Sequence, residues 1–547
     1  MKKIFNNELN LEMKGEIVHL YGWVQKNRNL GGLVFIDLRD RSGIVQLVVR
    51  PESEFYTEAE SLKSEYVIEV IGKVVERESK NSNLLTGDIE VEVEKLVVLN
   101  KSLDLPFTID DNTTALEETR LKYRYLDIRR NEIKDKLILR NNVMMACREY
   151  LSKLGFIEVE TPVLCKSTPE GARDFLVPSR QNKGKFYALP QSPQLFKQLL
   201  MVGGIERYYQ FSKCFRDEDL RADRQPEFTQ LDMELSFVSE DDIMTINEGL
   251  IAHIFKKVKD IDIKLPLMRM KYDDAIRDYG SDKPDLRFGM KIREITDLFK
   301  NSNFELFKNS EVVNCLVVKE SAPKYSRKSL DELSNFVKKY GLGGLAYLKI
   351  GNEITGSIAK VLSDEEKNIL KEELKLENDD LVLFGCGAYN KVKQALGALR
   401  SKLGKDLNLY KDSDYSLLWV VDFPSFEYSE EENRYVSCHH PFTMPKDEDV
   451  DKLLTDKEHC YSKAYDIVCN GYEAGGGSIR IHNADVQEKM FEALELTKED
   501  IEEKFGFFVN AFKYGTPPHG GLAIGLERLT MLLCETDNIK DVIAFPK

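Results

Sequence analysis

Between residues 16 and 99 the chain breaks into short apolar-rich runs with turn signals between them: IVHLYGWVQKNR, GLVFIDLRDRSGIVQLVVR, YVIEVIGKVVER and GDIEVEVEKLVVLN. Apolar and polar positions alternate in them, most clearly over Asp88–Val93, and β-branched residues are frequent. Period-two alternation predicts strands with one buried face. About five antiparallel strands in ~100 residues suit a small Greek-key barrel of OB-fold size. One strand face of such a barrel can stack unpaired bases on aromatics and meet phosphates with arginines. Trp23, Arg28, Phe35 and Gln46 are placed for that face, although core packing is the plainer role for any single aromatic here.

The pattern then changes. SLDLPFTIDDNTTALEE, 102–118, is polar, carries a proline and has no clear period, which predicts a linker. Apolar residues at 137, 138, 144, 145, 151 and 154 follow helical spacing, with Gly155 set to close the helix, and FIEVETPVL after it reads as a strand. From about 283 to 410 the character shifts again, around a strand, turn and helix in LVLFGCGAYNKVKQALGALRSKLG. The flanking segments read as parts of one sheet, so the middle piece is expected to be an inserted domain. The fold class expected is multi-domain α+β.

Length agrees: 547 residues are too many for one core. The chain is 42% hydrophobic and 31% charged, which excludes wholesale disorder. No apolar run approaches the ~20 residues of a membrane helix. MKKIFNNELN has no apolar stretch behind its lysines, so no signal peptide is expected. Nine scattered cysteines without a C-x-x-C argue against a disulfide framework and a cysteine zinc site, and for a reducing cytoplasm. The formal charge of −15 opposes unspecific nucleic-acid binding by the whole surface. Residues 1–50 nevertheless hold eight Lys and Arg against five Asp and Glu, a local excess of three positive charges that leaves the first module open to nucleic acid.

Five stretches invite a chemical reading. Gly385-Cys-Gly387 lacks the third glycine of a dinucleotide loop, since position 390 is Asn, so a plain strand-to-helix turn is expected. His439 and His440, in SCHHPF, have no further zinc ligands nearby in sequence and suit donation to an anionic substrate instead. NGYEAGGGSIRIH, 470–482, puts three glycines between Glu473 and Arg480, and the same device recurs in PPHGGLAIGLERLTMLL ahead of Arg528. Glycines let a ligand lie against the backbone, and an arginine at a helix start suits a phosphate. CFRDEDLRADRQPEF, 214–228, crowds three arginines and five carboxylates between two strands. Exposed ion pairs are worth only ~0–1 kcal/mol each, so the crowding makes better sense as a preorganised clamp led by Arg216.

These residues resemble a known family. FRDEDLRADRQPEF looks like motif 2 of class II aminoacyl-tRNA synthetases, GFIEVETPVL like motif 1 and GLAIGLERL like motif 3. With YRYLDIRR, TPEGARDFLVPSR, QSPQLFKQLLM and NGYEAGGGSIRIHN, nearly the whole chain is similar to the bacterial-type aspartyl-tRNA synthetases. The resemblance implies an OB-fold anticodon-binding domain at 1–102, a hinge at 103–118, and a catalytic antiparallel sheet flanked by helices at 119–282 and 411–547. A GAD-like α+β insertion would fill 283–410. It also implies a cytoplasmic homodimer joined through motif 1, with no membrane contact. Its partners would be tRNA-Asp, L-aspartate and ATP with Mg²⁺. The alternatives are a form that also charges tRNA-Asn and a non-catalytic tRNA-binding paralogue.

Residue by residue, the resemblance puts the aspartate side-chain carboxylate on Lys197 and Arg480, with Asp232 in support. Glu170, Ser192 and Gln194 would take the ammonium, and His439 or His440 would close over the amino acid. Arg216 would bridge the α-carboxylate and the α-phosphate of ATP. Asp217, Glu218 and Gln225 belong to the ATP loop, and Phe228 to the adenine. Gly525, Leu526, Glu527 and Arg528 form the ATP side of motif 3, with Arg528 on the γ-phosphate. Asp466 and Glu473 would hold Mg²⁺. Arg216, Arg528 and Glu473 would carry the catalysis. The motif 3 helix reads GLER where the subgroup usually has GLDR. Arg28, Leu30, Phe35 and Gln46 match anticodon-reading positions.

Overall fold

The computed structural model describes residues 3–167, 172–220 and 222–547. Its contacts divide into two compact units, Met1–Lys134 and Asp135–Lys547. In the first, the alternating runs close a five-stranded barrel in the order Ile17–Leu30, Leu33–Arg39, Ile44–Val49, Ile89–Asn100, Val67–Glu76. Val67–Glu76 shows why the pattern folds this way: Ile68, Val70 and Val74 point inward and are fully buried, and Glu69 and Lys73 face out. One pairing departs from the antiparallel expectation, because Ile44–Val49 runs parallel to Ile89–Asn100 where the barrel closes. Closure satisfies both edges of what would be an open sheet.

The second unit is built on an eight-stranded sheet. Its strand order is Met268–Lys271, Leu417–Val421, Ala464–Cys469, Tyr472–Ile479, His519–Gly525, Glu227–Ser236, Arg207–Phe215, Ile157–Glu158. The five inner pairings are antiparallel and the outermost pair at each edge is parallel. Of the strand expected in FIEVETPVL only Ile157–Glu158 forms. It adds to an edge, where one more backbone bond, from Val159 to the Tyr209 carbonyl, ends the pairing before Pro162.

Helices cover one face of this sheet. Asn131–Lys153 begins ahead of the expected span and buries Val143, Cys147 and Leu151, with Gly155 at φ +78° beyond its end. Glu240–Lys259 is specified at both ends. Ser239 and Asp242 cap each other reciprocally, acidic residues fill the first turn and lysines the last, and Asp260 closes it in the left-handed conformation. Its Leu250, Ile251, Ile254 and Phe255 pack with Leu231, Trp419 and Ile467 of the sheet, leaving the opposite sheet face for chemistry.

Between the two halves of that sheet the chain forms a separate five-stranded sheet, ordered Arg293–Glu294, Val312–Val318, Leu381–Gly387, Ala346–Lys349, Thr355–Gly356. The glycine pair at 385–387 ends a strand that turns into the helix Tyr389–Asp406, so no dinucleotide loop is present there.

Candidate active site

The strand Glu227–Ser236 fixes the geometry by alternation. Leu231, Met233 and Leu235 enter the core, so Gln230, Asp232 and Glu234 share the other face. Across the sheet Asp232 pairs with Ala523, Ala523 with Gly476, and Gly476 with Asp466. Two carboxylates therefore end a row whose middle is nearly bare backbone. In the next row Glu234 faces Gly521, and Gly521 faces Ser478. Gly476 opens the trough, since a Cβ there would come 2.5 Å from Asp466 Oδ1; Gly477 shares the row of Tyr465 and Leu522 of the core, and a Cβ on it would come 2.0 Å from the Gly521 carbonyl.

Two chambers meet over this floor. The larger, about 380 Å³, is lined by Ser192, Gln194, Lys197, Asp232, His439, His440, Asp466 and Arg480 among others. The smaller, about 160 Å³, is lined by Glu218, Gln225, Phe228, Gly525, Glu527 and Arg528 among others. Arg216, Gln230, Glu473 and Ala523 line both.

The larger chamber ends in a buried charge quartet. Lys197 Nζ donates to Asp232 at 2.7 Å and lies 3.3 Å from Glu234. Arg480 forks onto Glu234, Nε to Oε1 at 2.9 Å and Nη2 to Oε2 at 3.2 Å. All four side chains are at most 2% exposed. Burial raises the Asp232 carboxyl above its usual value against the pull of Lys197. For Glu234 burial works the same way, but Arg480 and Lys197 outweigh it and hold the carboxyl below its usual value. Arg480 Nη1 also donates to Ser478 Oγ at 2.6 Å and to His440 Nε2 at 2.8 Å. Burial first, then Arg480, push His440 well below the ordinary imidazole pKa, so its Nε2 keeps a lone pair for the guanidinium. His439 packs edge-on to Phe423 and lies 3.9 Å from Asp466.

The smaller chamber is rich in unspent donors. Arg216 lies 5.2 Å from the centre of the Phe228 ring, and its Nε is buried without a hydrogen-bond partner. Arg528 donates to the Glu473 carbonyl at 2.9 Å and to Asp223 at 3.4 Å, and its Nε is likewise unpartnered. Buried guanidinium donors left unpaired are costly unless an anion arrives to take them.

Asp466 and Glu473 flank Gly476 where the chambers join. Asp466 Oδ1 is buried without a hydrogen-bond partner, and burial, opposed by His439 and aided by Glu473, lifts this carboxyl to about 6. Among the described residues no cluster of three side-chain metal ligands forms. Two neighbouring carboxylates still fit a hard cation such as Mg²⁺, which takes one or two carboxylates and completes its shell with phosphate oxygens and water.

Some sequence candidates lie elsewhere or are engaged in other contacts. Leu526 is buried in the core behind the sheet, and Asp217 is exposed and lines neither chamber. The Glu527 carboxylate is spent on Arg140 at 2.8 Å and on the Thr229 N–H at 2.8 Å, so it anchors the helix Leu526–Leu533 to the neighbouring strand. Glu170 lies outside the described residues.

On the barrel, register puts Arg28 opposite Phe35 and Gln46 opposite Asp37, all on one face. Arg28 donates to Asp37 at 2.5 Å, Gln46 to Glu90 at 2.7 Å, and Arg77 to Gln46 at 3.2 Å. Leu30, 61% exposed, stands at the rim, whereas Trp23 is covered by the Arg129 guanidinium at 5.1 Å. Sequence reasoning missed Asp37, Arg77 and Glu90 here and Glu234 in the cleft. For Glu234 a signal existed, two carboxylates two residues apart within the apolar strand LDMELS.

Comparison with known proteins gives the family of the chain. Residues 116–547 match the family described as tRNA synthetases class II (D, K and N), and residues 18–99 match the OB-fold nucleic acid binding domain. The chain therefore belongs to the class II tRNA synthetases of the aspartate, lysine and asparagine group. It is 54% identical to the aspartate--tRNA(Asp/Asn) ligase of Geobacillus sp. (strain WCH70), over 97% of this chain and 91% of that protein. It is 53% identical to the aspartate--tRNA ligase of Macrococcus caseolyticus (97% and 92%) and to that of Streptococcus agalactiae serotype III (100% and 94%). Within the group these identities place it in the aspartate--tRNA ligase family. The crystal structure of asparaginyl-tRNA synthetase from Pyrococcus horikoshii with asparaginyl-adenylate shares the fold at 22% identity and TM-score 0.64, covering 100% of this chain and 98% of that one.

Proposed function

We propose that the protein attaches L-aspartate to tRNA-Asp at the expense of ATP, and one observation carries the reading: two chambers that meet at Arg216. The larger fits a dicarboxylic amino acid, with Lys197 and Arg480 for its side-chain carboxylate and Ser192 and Gln194 for its ammonium. The smaller fits a nucleotide, with Phe228 for adenine and Arg528 for the terminal phosphate. Asparagine in the larger chamber would set a neutral amide, with N–H donors of its own, against the donors of two cations, and buried polar groups left unmatched give strong discrimination.

No side chain has to act as nucleophile. An α-carboxylate oxygen of aspartate attacks the α-phosphorus, the bond to the bridging oxygen breaks, and pyrophosphate leaves behind aspartyl-adenylate. A ribose hydroxyl of the tRNA 3′-terminal adenosine then attacks the acyl carbon and AMP leaves. The chain's work is alignment and neutralisation of charge on the phosphorus oxygens. Arg216, common to both chambers, is suited to touch carboxylate and phosphate together. Mg²⁺ held by Asp466 and Glu473 would neutralise charge on the phosphates.

Three further parts of the reading rest on separate observations. The barrel face of Arg28, Phe35 and Gln46, with Leu30 at its rim, is taken as the anticodon reader. Ile138, Met145, Ile157, Val163 and Leu164 are all about half exposed around the helix Asn131–Lys153 and the chain that follows it, which supports a homodimer through this face. None of the nine cysteines forms a disulfide, in keeping with a cytoplasmic setting. No described helix is long and apolar enough to cross a membrane.

ATP–pyrophosphate exchange with aspartate, asparagine and lysine tests the substrate, and charging of tRNA-Asp and tRNA-Asn tests the partner. Exchange is expected with aspartate alone. Exchange driven by lysine or asparagine would overturn the reading, and charging of both tRNAs would widen it to the scope named for the Geobacillus relative.

A further inference from the structure

Behind the larger chamber runs a chain of hydrogen bonds whose direction is fixed at its far end. The Pro517 carbonyl only accepts, and His519 Nδ1 lies 2.8 Å from it, so Nδ1 carries the ring proton. His519 Nε2 is then a lone pair, and it lies 3.0 Å from Gln198 Nε2, which donates to it. The Gln198 amide is thereby oriented, and its Oε1 accepts from Gln194 Nε2 at 2.8 Å. That bond takes one of the two Nε2 hydrogens and fixes which end of the amide is Oε1, the acceptor Gln194 keeps for the chamber it lines. Gln198 and His519 are fully buried and Gln194 is 7% exposed, so water does not compete along the chain.

We infer that His519 is a positioning residue for aspartate: through Gln198 it sets which end of the Gln194 amide meets the substrate ammonium. The inference rests on the proposed ammonium role of Gln194 and deepens it. An amide free to turn would present N–H as readily as C=O, and N–H repels an ammonium. The surroundings keep the ring neutral. Burial lowers its pKa, Glu234 opposes that, and Arg480 and His482 reinforce it. A proton on Nε2 would oblige Gln198 to turn its oxygen to the ring and its N–H₂ to Gln194, reversing the whole chain.

The test uses ATP–pyrophosphate exchange by the full chain. His519→Asn keeps an amide near the Nδ1 position but reaches no partner at Gln198. His519→Gln places an amide oxygen near Nε2 and can accept from Gln198. His519→Asn and Gln198→Leu are each expected to raise KM for aspartate about tenfold, the worth of one hydrogen bond to a charged group. KM for ATP should stay within about twofold, and His519→Gln should recover most of the loss. The double variant should cost no more than the worse single one, because both break one chain. Equal losses for ATP and aspartate, additive losses, or no rescue by His519→Gln would overturn the inference. Unaltered protein that shows no exchange with aspartate would overturn the functional reading beneath it instead.

Discussion

Arg480 is aimed by neighbours of three kinds: a carboxylate fork from Glu234, a hydroxyl from Ser478 and a lone pair from His440. The last is conditional, because a protonated His440 would set N–H against N–H. That condition has a thermodynamic consequence. Burial, then Arg480, put the folded pKa of His440 below the ordinary 6.5, so the unfolded chain binds a proton there more readily than the folded one. The contribution of this residue to stability is thus present above about pH 6.5 and is lost as pH falls below it. The loss is at most about 1.4 kcal/mol per pH unit for one proton. Urea unfolding between pH 7.5 and 5.5 should show a shallower decline for His440→Gln than for the unaltered protein. Parallel declines would mean that His440 takes up its proton in the folded state as well. Arg480 and both histidines stood out in the sequence's own motifs, and Lys197 and Asp232 came from the family resemblance. Their balance could not be read there: that Glu234 is the partner of Arg480, 246 residues away, follows from strand order alone.

Glycines 475–477 act as an element rather than as single residues, and their neighbours assign them different tasks. Gly477 faces backbone, with the Gly521 carbonyl 2.0 Å from where a Cβ would sit, so Gly477→Ala must push two paired strands apart. Gly476 faces the Asp466 carboxylate at 2.5 Å, which can turn aside at the expense of the site. Gly477→Ala is therefore expected to cost about 3 kcal/mol or more in urea unfolding, as backbone strain in a core does. Gly476→Ala should cost under about 1.5 kcal/mol while lowering exchange at least tenfold. If the two variants lost stability alike, the split between wall and floor would be wrong. Much of the element level was legible: the barrel strands alternate cleanly, and helical spacing with Gly155 announced the end of the helix Asn131–Lys153. The motif 1 strand was not, because its apolar run reads like a buried strand whereas only two residues pair, parallel, at a sheet edge. Parallel pairing at the barrel closure was hidden for the same reason, since alternation reports faces and not direction.

At the scale of the whole molecule, the two chambers and the barrel face lie in separate compact units, and the homodimer proposed above makes its own prediction. Ile138 and Met145, seven residues apart, share a face of the helix Asn131–Lys153 and are 45% and 56% exposed. Met145→Asp would bury an unpaired carboxylate in any interface formed there, so sedimentation should show the proposed dimer for the unaltered chain and a monomer for the variant. A dimer that survives would move the interface to another face. The division between units gives the sharper prediction. Phe35 sits in the barrel unit, on a face with Arg28, Asp37 and Gln46, and makes no part of either chamber. A base stacked on an aromatic is worth about 1–3 kcal/mol. Phe35→Ala should therefore lower kcat/KM for tRNA-Asp charging by roughly 5- to 150-fold. ATP–pyrophosphate exchange, which needs only the chambers of the second unit, should be unchanged. Loss of exchange in step with charging would mean that the barrel acts on the chemistry itself, and a chain so divided would then be working as one machine rather than as a reader joined to a catalyst.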